Sequence, residues 1–358
     1  MTQADILNVS YPFRAPKPVA TITCLDIGAT TMRRRELITF LGGSALAWPL
    51  GALAQQTGKV WRVGMLDTTP ATLNAANIDA FRRGLRQLGY VEGQNLTIEY
   101  RSGEGRIERF PELAAEMVRL KVDLIVTRGT PAALAAKNAT ATIPIVMAAI
   151  GEAVGTGMVV SLAQPGGNVT GLSAFVTELT AKRVEIMREI VPKIARMAMI
   201  DNMGNSSVPP QWDEMKRATL AFGIQPQLYD VRKPEDIGPA FDAAIAQQAD
   251  ALTVGTDSVF IASRPRVVEL AAKHRLPAIY ATREFVEAGG LLSYGAHYPD
   301  LYRRTASYVD KIFKGAKPGE LPVEQPTKLE LIINIKTAKA LGLDVPFHIQ
   351  QRADEMIE

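Results

Sequence analysis

The chain has 358 residues, 47% of them apolar and 22% charged. That is a globular composition, long enough for two domains. Its 40 basic and 37 acidic residues leave a net charge of only +3, which argues against nucleic acid as the partner. One cysteine, Cys24, and three histidines, His274, His297 and His348, exclude a disulfide framework or a Cys-rich zinc site within one chain.

Near the N-terminus, Arg33 to Arg35 precede an apolar stretch from Leu37 to about Leu50, and Ala52-Leu53-Ala54 closes it. This is the order of a cleaved export signal, with paired arginines of the twin-arginine kind and Gln55 as the mature start. An uncleaved anchor or a buried helix is the alternative, although the apolar run is shorter than the ~18 residues of a confident span. Met32 opens a normal signal, so residues 1–31 are expected to lie upstream of the true start. Cleavage removes Cys24, and no cysteine sits at the cleavage point to carry a lipid.

Beyond the signal, strand and helix patterns alternate. Val60–Leu66 reads as a buried strand, and Ile78, Phe81, Leu85 and Leu88 mark one face of a helix that Gly89 ends. Leu96–Tyr100 is a strand, Phe110–Leu120 a helix and Asp123–Thr127 a strand. Thr130-Pro131 opens the next helix, with Thr as cap and Pro in the first turn. Pro144–Ala148 is another strand. After Gly171, helices are expected at Glu178–Val191, Pro210–Phe222, Pro234–Gln247, Ser263–His274, Leu301–Lys314 and Lys336–Leu341. Strands are expected at Met197–Ile200, Gln227–Tyr229, Ala251–Val254, Ala278–Tyr280, Gly290–Ser293 and Leu329–Ile335. This alternation implies βαβ units and mainly parallel sheets. About five units fall on each side of the turn-rich Gln164–Gly171, which favours two α/β lobes over the rival, a single eight-stranded barrel.

The motif search is largely negative. There is no dinucleotide fingerprint, no phosphate loop and no nucleophile elbow; Gly171-Leu172-Ser173-Ala174-Phe175 lacks the final glycine. The histidines have no neighbours at metal spacing. No cofactor and no metal are expected. Position is more informative. In open parallel sheets ligands bind beyond the carboxyl ends of strands, where helix N-termini offer free N–H groups to a carboxylate. Small and polar residues fill those turns: Asp67-Thr68-Thr69, Gly129-Thr130-Pro131, Ile150-Gly151-Glu152, Asp201-Asn202, Gly255-Thr256-Asp257 and Ala281-Thr282-Arg283. Glu152, Asp201 and Asp257 either face a ligand there or cap the next helix.

Taken together, several segments resemble a known family. They are Phe81–Leu85 with Leu88–Asn95, Asp123–Val126 with Gly129–Ala133, Ile143–Val146, Ser161–Gly171, Ala288–Gly295, Leu321–Pro326 and Ile333–Leu343. The chain is similar, from about Val60 to Glu358, to the substrate-binding proteins of ABC transporters of the tryptophan- and tyrosine-binding type. The resemblance implies a type I periplasmic-binding fold: two Rossmann-like α/β lobes joined by three crossovers. Residues 60–170 with about 294–316 would form one lobe, and 171–293 with about 321–358 the other. It also implies a periplasmic receptor, not an enzyme, that shuts around a small organic ligand and passes it to a membrane permease and its ATPase. Thr130 and nearby N–H groups would hold an anionic group. Asn202 and Asp257 would approach from the second lobe, and Tyr280 or Tyr294 would pack the ligand body. Asp67, Thr68, Gly129, Pro131, Glu152 and Ser173 complete the candidate set. Two departures stand out: Gly151-Glu152-Ala153-Val154 replaces the usual Gly-Asp-Pro-Val, and Asp67-Thr68-Thr69-Pro70 replaces a serine- and glycine-rich turn. A secreted α/β enzyme and a sensory solute receptor are the alternative functions.

Overall fold

A computed structural model describes residues 59–174 and 176–358. The export signal expected at 32–54 and the segment before it lie outside these residues. The first half runs β1 (Trp61–Asp67), α1 (Ala75–Gln87), β2 (Leu96–Ser102), α2 (Phe110–Arg119), β3 (Leu124–Arg128), α3 (Thr130–Ala139), β4 (Ile145–Ile150) and β5 (Val169–Ser173). Its five strands form one parallel sheet in the order β2-β1-β3-β4-β5.

The chain then passes to a second sheet. In order come α4 (Thr180–Ile190), β6 (Arg196–Asp201), α5 (Val208–Ala221), β7 (Gln225–Asp230), α6 (Ile237–Ala246) and β8 (Ala251–Val254). They are followed by α7 (Ser258–Ala262), α8 (Arg264–Lys273), β9 (Ala278–Tyr280), α9 (Arg283–Glu287) and β10 (Leu292–Ala296). Next, α10 (Tyr298–Phe313) returns to the first sheet, and β11 (Leu329–Asn334), α11 (Ile335–Leu341), α12 (Phe347–Gln350) and β12 (Glu355–Ile357) close the second. That sheet has the order β12-β11-β10-β9-β8-β6-β7, and its one antiparallel pair is β10–β11. The chain therefore crosses between sheets three times. Two open sheets, rather than a closed ring, exclude the barrel.

Each sheet is buried on both faces, which is why its strands read as solid apolar runs. Along β1, β3 and β4 the residues alternate between cores. Val63, Met65, Val126 and Val146 face α1 and α10, whereas Leu66, Ile125, Ile145 and Met147 face α2 and α3. The second sheet does the same, with Met197, Met199 and Ile279 on one side and Ala198, Ile200 and Val254 on the other. Gly84 lets α1 and α10 approach closely: a Cβ there would stand 2.8 Å from the Arg303 carbonyl and from the Ala306 Cβ. The parallel order brings the carboxyl ends of both sheets to a common seam. Among the described residues no helix is long and apolar enough to cross a membrane, and no group of side chains is arranged to hold a metal ion.

Candidate functional site

A narrow cleft lies at that seam, with a cavity of only about 20 Å³ between the walls, room for about one water molecule and far below the ~300–1,000 Å³ usual for ligand sites. Thr68, Arg128, Gly129, Thr130 and Gly151 line it from the first sheet. Asn205, Ser207 and Thr256 line it from the second, and Ala174, Val176 and Tyr298 from the crossovers.

The first wall is built from strand ends. Gly129 follows β3 at φ +81°, and a Cβ on it would stand 2.6 Å from Thr68 Cγ2, so only glycine fits this turn. Gly129, not Thr130, caps α3, which makes Thr130 the first helical residue. Freed from capping, the Thr130 hydroxyl accepts from Gly151 N–H at 3.3 Å. The ten-residue α3 thus directs its N-terminus, with unpaired N–H groups, at the cleft.

Behind this wall is a buried polar network. Asp67 accepts from Thr69 N–H (3.0 Å), Asn74 Nδ2 (2.8 Å) and the Tyr302 hydroxyl (2.7 Å). Burial pushes its carboxyl up, while Arg128 and the Tyr302 and Thr69 donors pull it back. Arg128 donates to Asn74 Oδ1 at 2.7 Å and to Glu284 Oε1, on α9 of the other sheet, at 3.2 Å. Burial opposes its charge, but the facing Glu284 and Asp67 carboxylates hold the guanidinium protonated. Asn77 donates to the same Glu284 oxygen at 3.2 Å, so this ion pair sits inside the seam rather than on its rim. Two further links cross the seam: Arg264 to the Leu73 carbonyl at 3.4 Å, and the exposed pair Arg106–Glu235 at 3.3 Å.

The second wall is organised by Asp257, which caps α7 by accepting from Val259 N–H. Its two oxygens also accept from Asn202 Nδ2 (3.2 Å), Asn205 Nδ2 (2.8 Å) and the Ser258 hydroxyl (3.2 Å). Beneath it Asp201 is buried, with one oxygen bonded to Asn202 N–H and the other unpartnered. Burial first, then Asp257 and Asp230, push Asp201 up to about 8.

Of the candidates read from sequence, Thr68, Gly129 and Thr130 line the cleft. Asp67, Asn202 and Asp257 brace it from behind, as does Ser173, whose hydroxyl donates to the Gly151 carbonyl at 2.9 Å. Pro131 and the half-buried Glu152 are not among the lining residues. Tyr280 is fully buried in the second core, stacked on Phe285 at 4.6 Å, and half-buried Tyr294 packs in the core on the other face of that sheet. Neither ring reaches the lining. Arg128, Asn205, Ser207 and Tyr298 are lining residues that sequence reasoning missed, and Thr256 lies in a turn it named without entering the candidate set.

The chain matches the family of ABC transporter substrate binding proteins over residues 70–357. It is 29% identical over 263 residues to a tyrosine-binding protein of Clostridioides difficile, covering 74% of this chain and 75% of that one. A Streptococcus pneumoniae ABC domain solved with L-Trp superposes with a TM-score of 0.77 at 26% identity, over 83% of this chain and 99% of that one. The ligand-free, open structure of a Clostridium difficile substrate binding protein has the same identity and coverage but a TM-score of 0.60.

Proposed function

We propose, because the chain belongs to the family of ABC transporter substrate binding proteins, that it captures a small organic carboxylate such as an amino acid or aromatic acid. It holds this ligand in the cleft between the lobes, releases it unchanged to an ABC permease and its ATPase, and performs no catalysis. The family's proteins bind small ligands outside the cytoplasm and work with permeases; the periplasm is the compartment we assign here, after cleavage of a twin-arginine signal behind Ala54. The lobes would open and shut about the three crossovers.

One observation carries this reading. The cleft joins a helix N-terminus and a buried cation on one wall to neutral hydrogen-bonding groups on the other. That combination suits one anionic group on a small polar or aromatic body. The better superposition on the L-Trp complex than on the open relative supports a closed, ligand-ready arrangement.

Thermal melting against the amino acids and a set of aromatic acids tests it. A true ligand at a hundred times its Kd stabilises by about 2.7 kcal/mol and shifts Tm with dose. A melting temperature unmoved by the whole panel would overturn the proposal.

A further inference from the structure

We infer that Arg128 is the specificity-determining residue of the cleft, reading the carboxylate of the ligand, and that Glu284 of the opposite lobe sets how strongly it does so. The inference rests on the proposed function. Among the described residues that line the cleft, Arg128 is the one with a charged side chain, and that side chain is only 4% exposed. Three contacts fix the guanidinium: Asn74 Oδ1 at 2.7 Å, Glu284 Oε1 at 3.2 Å, and the Tyr298 ring with its centroid 4.8 Å away. Two of five N–H donors are thereby committed, and the planar fork is held ready for a carboxylate.

Glu284 does not line the cleft. It shares its bonded oxygen between Arg128 and Asn77, so it offsets part of the cation without covering its cleft side. A ligand carboxylate arriving beside α3 would meet Arg128 in a water-poor site, where charge-assisted hydrogen bonds are strongest. A carboxamide of the same shape would lose that gain.

The test compares three matched pairs: L-tryptophan with L-tryptophanamide, L-tyrosine with L-tyrosinamide, and 3-phenylpropionate with its amide. Affinities are measured by calorimetry on the wild type, Glu284→Gln, Arg128→Met and the double variant Arg128→Met/Glu284→Gln. The double variant removes both charges together, so it stays folded even if Arg128→Met alone strands a buried carboxylate and unfolds. The wild type should prefer the acid by about tenfold or more. The preference should grow in Glu284→Gln and fall below about twofold in the double variant. Opposite effects from the two partners of one ion pair are not expected of a merely structural link. An acid preference that survives in the double variant, or shrinks in Glu284→Gln, overturns the inference. Equal binding of acids and amides by the wild type also overturns it and leaves the proposed function standing. Silence of every pair overturns both.

Discussion

The two walls of the cleft solve different problems. The first presents unspent polarity: Arg128, the N–H groups of α3 and a bare glycine turn face the opening. The second spends its hydrogen bonds on itself, with Asn202, Asn205, Ser258 and Val259 all gathered on Asp257. The charged contact we propose for the ligand therefore lies on the first lobe. The second supplies a rigid, neutral surface whose shape depends on an internal knot.

Breaking the knot should have the largest effect. A Cβ at Gly255 would stand 2.0 Å from Asp201 Oδ2, so Gly255→Ala forces the turn away from β6. It is expected to lower unfolding free energy by about 2–4 kcal/mol, measured by urea denaturation. Asp257→Ala follows. It removes the α7 cap and leaves two buried amides without their acceptor, a loss of about 2–3 kcal/mol in the same assay.

Asp201 sharpens the comparison through pH. Its folded-state value of about 8 lies above the ordinary 3.8, so the folded chain holds the proton more tightly than the unfolded one. The stability this lends is full below pH 3.8, declines as pH rises toward 8, and is gone above it. Asp201→Asn cannot ionise. Its stability curve should lack that decline, which in the wild type runs at up to about 1.4 kcal/mol per pH unit between the two values. Parallel curves for the two proteins from acid to alkaline pH would contradict this.

The smallest effect joins the walls. A Cβ on Gly151 of the first would meet Ser207 Cβ of the second at 2.6 Å. Gly151→Ala should leave each lobe's stability nearly intact yet weaken ligand binding about tenfold, the equivalent of about 1.4 kcal/mol of obstructed closure. Calorimetry beside denaturation separates the two quantities.

The walls also differ in how far sequence reveals them. Thr68, Gly129 and Thr130 were legible because small polar residues just after buried strands mark the ligand end of a parallel sheet. Arg128 was not, since an arginine ending a strand reads as solvated surface, and its partner Glu284 is 156 residues away. Tyr280 and Tyr294 looked like ligand platforms because aromatic rings at strand ends serve either purpose; their positions in the cores follow from which face of the strand each occupies. The alternation of elements yielded both sheets, yet short pieces escaped it. Helices α7, α9 and α12 are each a turn or so long, too brief for periodicity to show. Strand β10 was expected to span only Gly290–Ser293. Gly295 instead stays in the strand, where a Cβ would stand 1.9 Å from the Ala281 carbonyl.

A crystal structure of the chain with the carboxylate that gives the largest melting shift tests the central claim most directly. The account predicts one intact ligand molecule at the seam, its carboxylate within hydrogen-bond distance of Arg128 and the first turn of α3, and its body against Asn205, Ser207 and Thr256. A ligand bound outside the seam, or recovered chemically altered, would contradict it.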